Sequence, residues 1–384
     1  MCVQDGEQEM EDLDSSNSKS WPSHCEMLHT QMENLDRQPP VVCPADQAGL
    51  RSSFPLESIC EENVALEKRL NMLGNFIPKL RSGEWSDIGG RPHMEDTHVC
   101  IGNLATTFGY DKLNQEVVSL YGVFDGHMGK AAAQFVRDHL PRVIVEDSDF
   151  PLELEKVVVR SFKEVDAAFA KSCTLETALS SGTTALTAMI FGRNAFNRSL
   201  LVANAGDCRA VLSRRGVALE MSKDHRPCCT REKVRIESLG GFVDDGYLNG
   251  LLAVTRALGD WHLEGMKEMS GVGGPLSAEP ELKLVTLNKE DEFLIIGSDG
   301  MWDSFTSQNA IDFARRRLQE HNDVKLCCKE VVEEAIKRGA TDNLTVVIVS
   351  FHLERPPQLV APKGRVRRSI FVEGLQNVKC FLEG

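Results

Sequence analysis

The chain has 384 residues, 42% of them hydrophobic and 26% charged, with a formal net charge of −14. That composition supports a folded body with a sizeable core, in one large domain or more than one. The acidic balance excludes a global nucleic-acid footprint, gives no attraction to anionic membranes, and is compatible with a carboxylate-rich cleft that collects cations.

The acidic start, MCVQDGEQEMEDLD, carries neither the apolar run of a secretory signal nor the Arg-rich pattern of a transit peptide. Residues 1–74 mix Ser, Asp, Glu, Gln and Pro without a sustained period and read as a disordered tail. Within it, NVALEKRLNML (63–73) has the spacing of a short amphipathic helix.

From Ser82 the texture changes. VSLYGVFDG (118–126), LTAMIF (186–191), LLVANAGD (200–207), EFLIIGSDG (292–300) and LTVVIVSFH (344–352) are apolar β-rich runs and are predicted as strands. Helical periods occupy 130–145, 152–171, 308–320 and 324–338, the last closed by Gly339. Strands come in consecutive pairs, as in 184–191 and 199–206 around a turn containing Asn194 and Asn197, and helices come in blocks. This order predicts an α+β fold with antiparallel sheets rather than a strict βαβ alternation. The folded domain is placed at 75–354. Residues 355–384, Pro-rich (ERPPQLVAPKG) and then basic (KGRVRRS), form a second tail. No run reaches about 18 uninterrupted apolar residues, so no membrane span is expected.

The twelve cysteines include no CxxC and no finger-like spacing. They read as reduced thiols of a cytoplasmic or nuclear protein. A thiol phosphatase would need a Gly-rich CxxxxxR loop. Cys229 has Arg235 at that distance, but the intervening TREKV lacks glycine and reads as helix, so thiol catalysis is set aside. Cys228 and Cys229 remain candidates for oxidation, with inert thiols as the simpler reading.

Several predicted strands end directly in a carboxylate: FDGHMG (124–129), AGDCR (205–209) and GSDGMWD (297–303), while ATDN (340–343) precedes one. A lone Asp-Gly is an ordinary turn. Four such ends in one domain can converge at a sheet rim, where unpaired carboxylates repel one another unless a cation joins them. Oxygen-only donors favour Mg²⁺ or Mn²⁺ over zinc.

These residues carry a resemblance. GGRPHMED (89–96), YGVFDGHMG (121–129), SGTTA (181–185), ANAGDCRAVL (203–212), KDHRP (223–227), LAVTRALGD (252–260), IIGSDGMWD (295–303) and GATDNLTVV (339–347) run in the order of the protein phosphatase 2C family of metal-dependent serine/threonine phosphatases. The chain resembles that family over about 82–353, and its wording SDIGGRPHMEDTH resembles plant members. The resemblance implies a central sandwich of two antiparallel β-sheets flanked by helices on both sides. It implies hydrolysis of phosphoserine and phosphothreonine by a hydroxide bridging two Mn²⁺ or Mg²⁺ ions. Asp125, the Gly126 carbonyl, Asp299 and Asp342 resemble the metal ligands, with glycine at 126 leaving room for solvent. Glu95 and Asp96 resemble acids that hold metal-bound waters. Arg91 resembles the arginine that grips the phosphate, and His127 the general acid. Asp207 and Asp303, with Asp299, resemble a weaker third metal site, and Thr184 a buried hydroxyl near the centre.

The implied partners are phosphorylated proteins, with no nucleic acid and no membrane, and the chain is expected to be a monomer. Abscisic-acid-regulated plant members carry a tryptophan in the flap beside the site. Here the flap, about 224–250, contains GGFVDDGYLNG with Asp245 near that place, so binding of the hormone receptor is not expected. Two other classes compete: a pseudophosphatase acting only as a binding protein, which loss of a metal aspartate would favour, and a two-metal nuclease, which the acidic charge and motif order oppose.

Overall fold

The computed structural model describes residues 76–110, 117–173, 180–192, 198–267 and 273–358. The predicted N-terminal tail with its 63–73 helix, the turn at 193–197 and residues 359–384 lie outside the described residues.

In chain order the first elements are β1 (Arg81–Asp87), β2 (Thr97–Ile101), α1 (Leu104–Thr107), β3 (Ser119–Phe124) and β4 (Gly126–His127). Two long helices follow, α2 (Ala131–Glu146) and α3 (Leu154–Ser172), then β5 (Gly182–Thr183), β6 (Ala185–Gly192), β7 (Arg198–Ala205), β8 (Arg209–Arg214) and β9 (Val217–Glu220). The flap holds α4 (Thr230–Ser238) and the hairpin β10 (Val243–Asp244) with β11 (Tyr247–Leu248). The chain continues through β12 (Leu258–Gly259), β13 (Glu281–Thr286), β14 (Asp291–Gly297), α5 (Asp299–Trp302), α6 (Ser307–Glu320), α7 (Val324–Lys337) and β15 (Leu344–Ser350).

Two five-stranded sheets form the centre, ordered β1-β15-β14-β8-β9 and β13-β7-β6-β3-β2, with antiparallel neighbours throughout. Strand alternation explains the layering, because successive side chains leave opposite faces. In β14, Leu294 and Ile296 join the apolar layer between the sheets. Phe293 and Ile295 on its other face pack with α6 and α7 residues such as Ala310 and Val331. In β3, Tyr121 and Val123 face the inter-sheet layer, while Leu120 and Phe124 meet Leu140 of α2 and Val158 of α3. A strand buried on both faces must be apolar throughout, so these runs showed no alternation of polar and apolar residues in the sequence. The result is the expected sandwich with helices on both sides.

The helix ends are set by local chemistry. The Thr306 hydroxyl accepts from the Asn309 amide to start α6, and the Asp323 carboxylate accepts from the Leu326 amide to start α7. Gly339, at φ +98°, stands just beyond the α7 cap as its position predicted. TREKV lies in α4, as its helical reading required. The 292–300 run ends earlier than expected: β14 stops at Gly297, and Asp299 opens the short helix α5. Beyond β15, the carbonyls of Pro356 and Pro357 accept from Gln319 of α6.

Candidate active site

The carboxylates predicted at strand ends meet where the two sheets adjoin. Asp125 follows β3 of one sheet, and Asp207 lies in the crossover from β7 of that sheet to β8 of the other. Asp299 follows β14 and Asp342 precedes β15, so both come from the other. Oxygens of Asp125, Asp207 and Asp299 lie within 4.8 Å of one another. They line a cavity of about 460 Å³ with Arg91, Glu95, His127 and Asp342. The Tyr247–Val254 side of the flap forms its apolar wall.

The backbone of Asp125 is held tightly. Its carbonyl accepts from the Thr184 amide at 2.9 Å and the Thr183 hydroxyl at 3.0 Å. Its amide donates to the Thr184 hydroxyl at 3.3 Å, so Thr184 is buried against the backbone of the site. A Cβ on Gly126 would lie 2.5 Å from the Glu95 carbonyl oxygen, so glycine permits a close backbone approach there.

The electrostatics of the cluster ask for positive charge. Burial, then repulsion from Asp96 and Asp299, pushes Asp125 well above the ordinary carboxylate range. Burial and the Asp299 charge push Asp207 up to about 7. Burial pushes Asp96 up to about 6, although the Ser298 hydroxyl donates to it at 2.8 Å. The other oxygen of Asp96 is buried and no donor reaches it. Crowded, desolvated oxygen donors of this kind fit a hard divalent cation.

Asp342 is not part of the tightest group. Its Oδ2 accepts from Arg91 Nη2 at 2.6 Å, with both side chains substantially exposed. The adjacent Asn343 ties the Arg91 loop to this strand end: its side-chain Nδ2 donates to the carbonyls of Ile88 and His93, and its Oδ1 accepts from the Glu95 backbone amide. The Glu95 carboxylate accepts from the Gly129 amide at 2.9 Å. Asp303, the residue that caps the end of α5 and is largely exposed, is approached by Arg226.

Three further residues have a place in this geometry that the sequence does not announce. Asp260, fully buried just after β12, lies 2.9 and 3.0 Å from Nε2 of His127 through its two oxygens. Burial opposes a charged imidazole, but the Asp260 carboxylate outweighs it and lifts the His127 pKa above its ordinary value. Gly182 stands beside this pair, and a Cβ on it would come within 2.2 Å of both His127 Nε2 and Asp260 Oδ2. Arg226 reaches Asp207 and Asp299. The signal for Asp260 was present: LAVTRALGD ends in the same Gly-Asp pattern as AGDCR. Gly182 and Arg226 also sit in the motifs SGTTA and KDHRP, but their places depend on contacts far apart in sequence.

The flap tip is a tight hairpin, with Asp245 and Gly246 both at positive φ between β10 and β11. Cys228 and Cys229 are exposed at the start of the flap, whereas Cys208, Cys327 and Cys328 are buried.

Comparison with known proteins agrees with this architecture. The family model described as "Protein phosphatase 2C" matches residues 86–344. A rice protein named "Probable protein phosphatase 2C 27" is 68% identical over 334 residues, covering 87% of this chain and 93% of its own length. An Arabidopsis thaliana protein named "Probable protein phosphatase 2C 22" is 52% identical over 350 residues, covering 89% of this chain and 88% of its own. Among solved structures, a serine-threonine phosphatase 2C from Toxoplasma gondii superposes with a TM-score of 0.58 at 22% identity, over 72% of this chain and 98% of that one. That likeness speaks to the fold, and the closer sequence relatives to the family. The chain belongs to the protein phosphatase 2C family.

Proposed function

We propose that this protein phosphatase hydrolyses phosphoserine and phosphothreonine in other proteins, and that its activity depends on two Mg²⁺ or Mn²⁺ ions. The observation that carries the reading is the convergence of Asp125, Asp207 and Asp299 in a cavity that also presents Arg91 and His127. Asp125, the Gly126 carbonyl, Asp299 and Asp342 would hold the ions, with Glu95 and Asp96 beside them. Such ions, when bound, neutralise phosphate charge and lower the pKa of an attacking water.

The side chains supply the rest. Arg91 presents a planar fork suited to two phosphate oxygens, and its tie to Asp342 keeps it at the cavity rim. Water attacks phosphorus opposite the ester oxygen, and the bond from phosphorus to that oxygen breaks. His127 gives a proton to the departing serine or threonine oxygen. Asp260 engages Nε2, which leaves Nδ1 as the ring nitrogen for that transfer. The paired carboxylate favours the protonated ring, the form a general acid requires.

The test is phosphate release from a phosphothreonine peptide with Mn²⁺, with chelator, and beside a DNA substrate under the same conditions. The reading expects Mn²⁺-dependent release from the peptide alone. Full activity in chelator, or cleavage of DNA instead, overturns it.

A further inference from the structure

We infer that Arg226 is the resident cation of the third carboxylate cluster, so that this chain binds two divalent ions where its resemblance implied a third. The inference rests on the two-ion reading above. Arg226 Nε lies 3.0 Å from Asp207 Oδ2, and Nη2 lies 3.3 Å from Asp299 Oδ2 and 3.5 Å from Asp303 Oδ1. Those are the same three aspartates that a third ion would use.

The two occupants exclude each other. A Mg²⁺-sized ion sits about 2.1 Å from each oxygen it binds. The guanidinium already lies within 3.5 Å of an oxygen of each of these three carboxylates. Arg226 supplies a permanent positive charge and directional donors.

The arginine is delivered there by its backbone. On one side, the His225 amide donates to the Gly206 carbonyl, and the Gly206 amide donates to His225 Nδ1. The His225 carbonyl accepts from the Thr255 amide. One residue earlier, Asp224 is gripped by Arg209 at 2.6 and 3.0 Å. On the other side, the Cys229 amide closes a turn onto the Arg226 carbonyl. The side chain is only 35% exposed, and its main partner Asp207 is 6% exposed. An ion entering this cluster must expel a partly buried, bonded guanidinium.

The test uses the full chain and Mn²⁺ alone, counting bound ions by equilibrium dialysis with elemental analysis and by electron paramagnetic resonance of free Mn²⁺. The wild type is expected to saturate at two ions. Arg226→Gln is expected to gain a third, at least tenfold tighter than any third ion in the wild type. Adding Asp303→Asn to that variant should remove the gain, which places the new ion in this cluster. Arg226→Lys, which retains a positive charge, should stay at two and controls for folding. A third ion bound as tightly by the wild type as by Arg226→Gln overturns the inference, as does an Arg226→Gln protein that melts like the wild type yet gains none. A wild type that binds no ion is a separate outcome and overturns the two-ion reading itself.

Discussion

Nε2 of His127 lies 2.9 Å from Oδ2 of the fully buried Asp260, and the two residues reach each other from short strands on either side of β5. An aspartate with no solvent contact thus engages one ring nitrogen of a histidine on the cavity wall. The pairing therefore has a kinetic signature.

Asp260→Asn removes the charge and keeps the shape. It should lower kcat on a phosphothreonine peptide on the order of tenfold to a hundredfold, a fraction of what general acids contribute, with KM little changed. On p-nitrophenyl phosphate, whose leaving group needs no proton, the loss should be several-fold smaller. Equal losses on both substrates would count against a role through His127.

Gly182→Ala tests the same pair by crowding. The added methyl meets His127 Nε2 and Asp260 Oδ2 within 2.2 Å. Overpacking of this kind costs about 1–3 kcal/mol in stability. The expected outcome is a folded protein, by circular dichroism, whose kcat on the phosphopeptide falls as in Asp260→Asn. Wild-type kcat with a rearranged pair would argue that the contact is dispensable.

Asp125→Ala and Asp299→Ala each remove a proposed metal ligand. Phosphate release should fall more than about a hundredfold, since metal stabilisation of the transition state amounts to several kcal/mol. Excess Mn²⁺ should restore little of it. Retained activity with both aspartates gone would sink the mechanism.

Arg91→Lys keeps the charge and loses the fork. KM for the phosphopeptide should rise on the order of tenfold, with a smaller change in kcat. Weaker inhibition by inorganic phosphate should accompany it.

Glu232 gives a prediction about the flap. Burial works against its charge, but Arg256, Arg235 and Thr255 outweigh burial and hold its pKa down at about 2. Because the folded value is depressed, the stabilisation is present above the unfolded value and is lost as pH falls through the folded one. The window runs from about 4.5 down to about 2. Glu232 is 7% exposed, so Glu232→Gln should cost about 3 kcal/mol at pH 7. The gap between variant and wild type should narrow in urea melts as pH drops through that window.

Much of this was legible because it was local. Long apolar runs such as EFLIIG and LTVVIVS announce buried strands, and Asp-Gly after them announces turns at a sheet rim. Motif order then gave Asp125, Asp299 and Asp342 their expected roles. What escaped was relational. Asp260 looks like one more turn aspartate until β12 pairs with β5 and β5 with β4, which brings it to His127. Gly182 looks like flexibility until the space around it is known. Arg226 looks like a surface charge in KDHRP until the His225 contacts aim it at Asp207. The β13 strand, with exposed and half-buried residues, was too weakly apolar to be seen.

The aspartates at the seam come from both sheets, and that has a mechanical consequence. A cation shared between Asp125 and Asp299 would be a rivet through the sandwich. Its affinity would then depend on how well Val123 and Leu186 seat against Ile296 and Val347, none of which touches it. Thinning that layer, as in Ile296→Ala, would loosen the rivet, and loading the rivet would raise the temperature at which the sheets part.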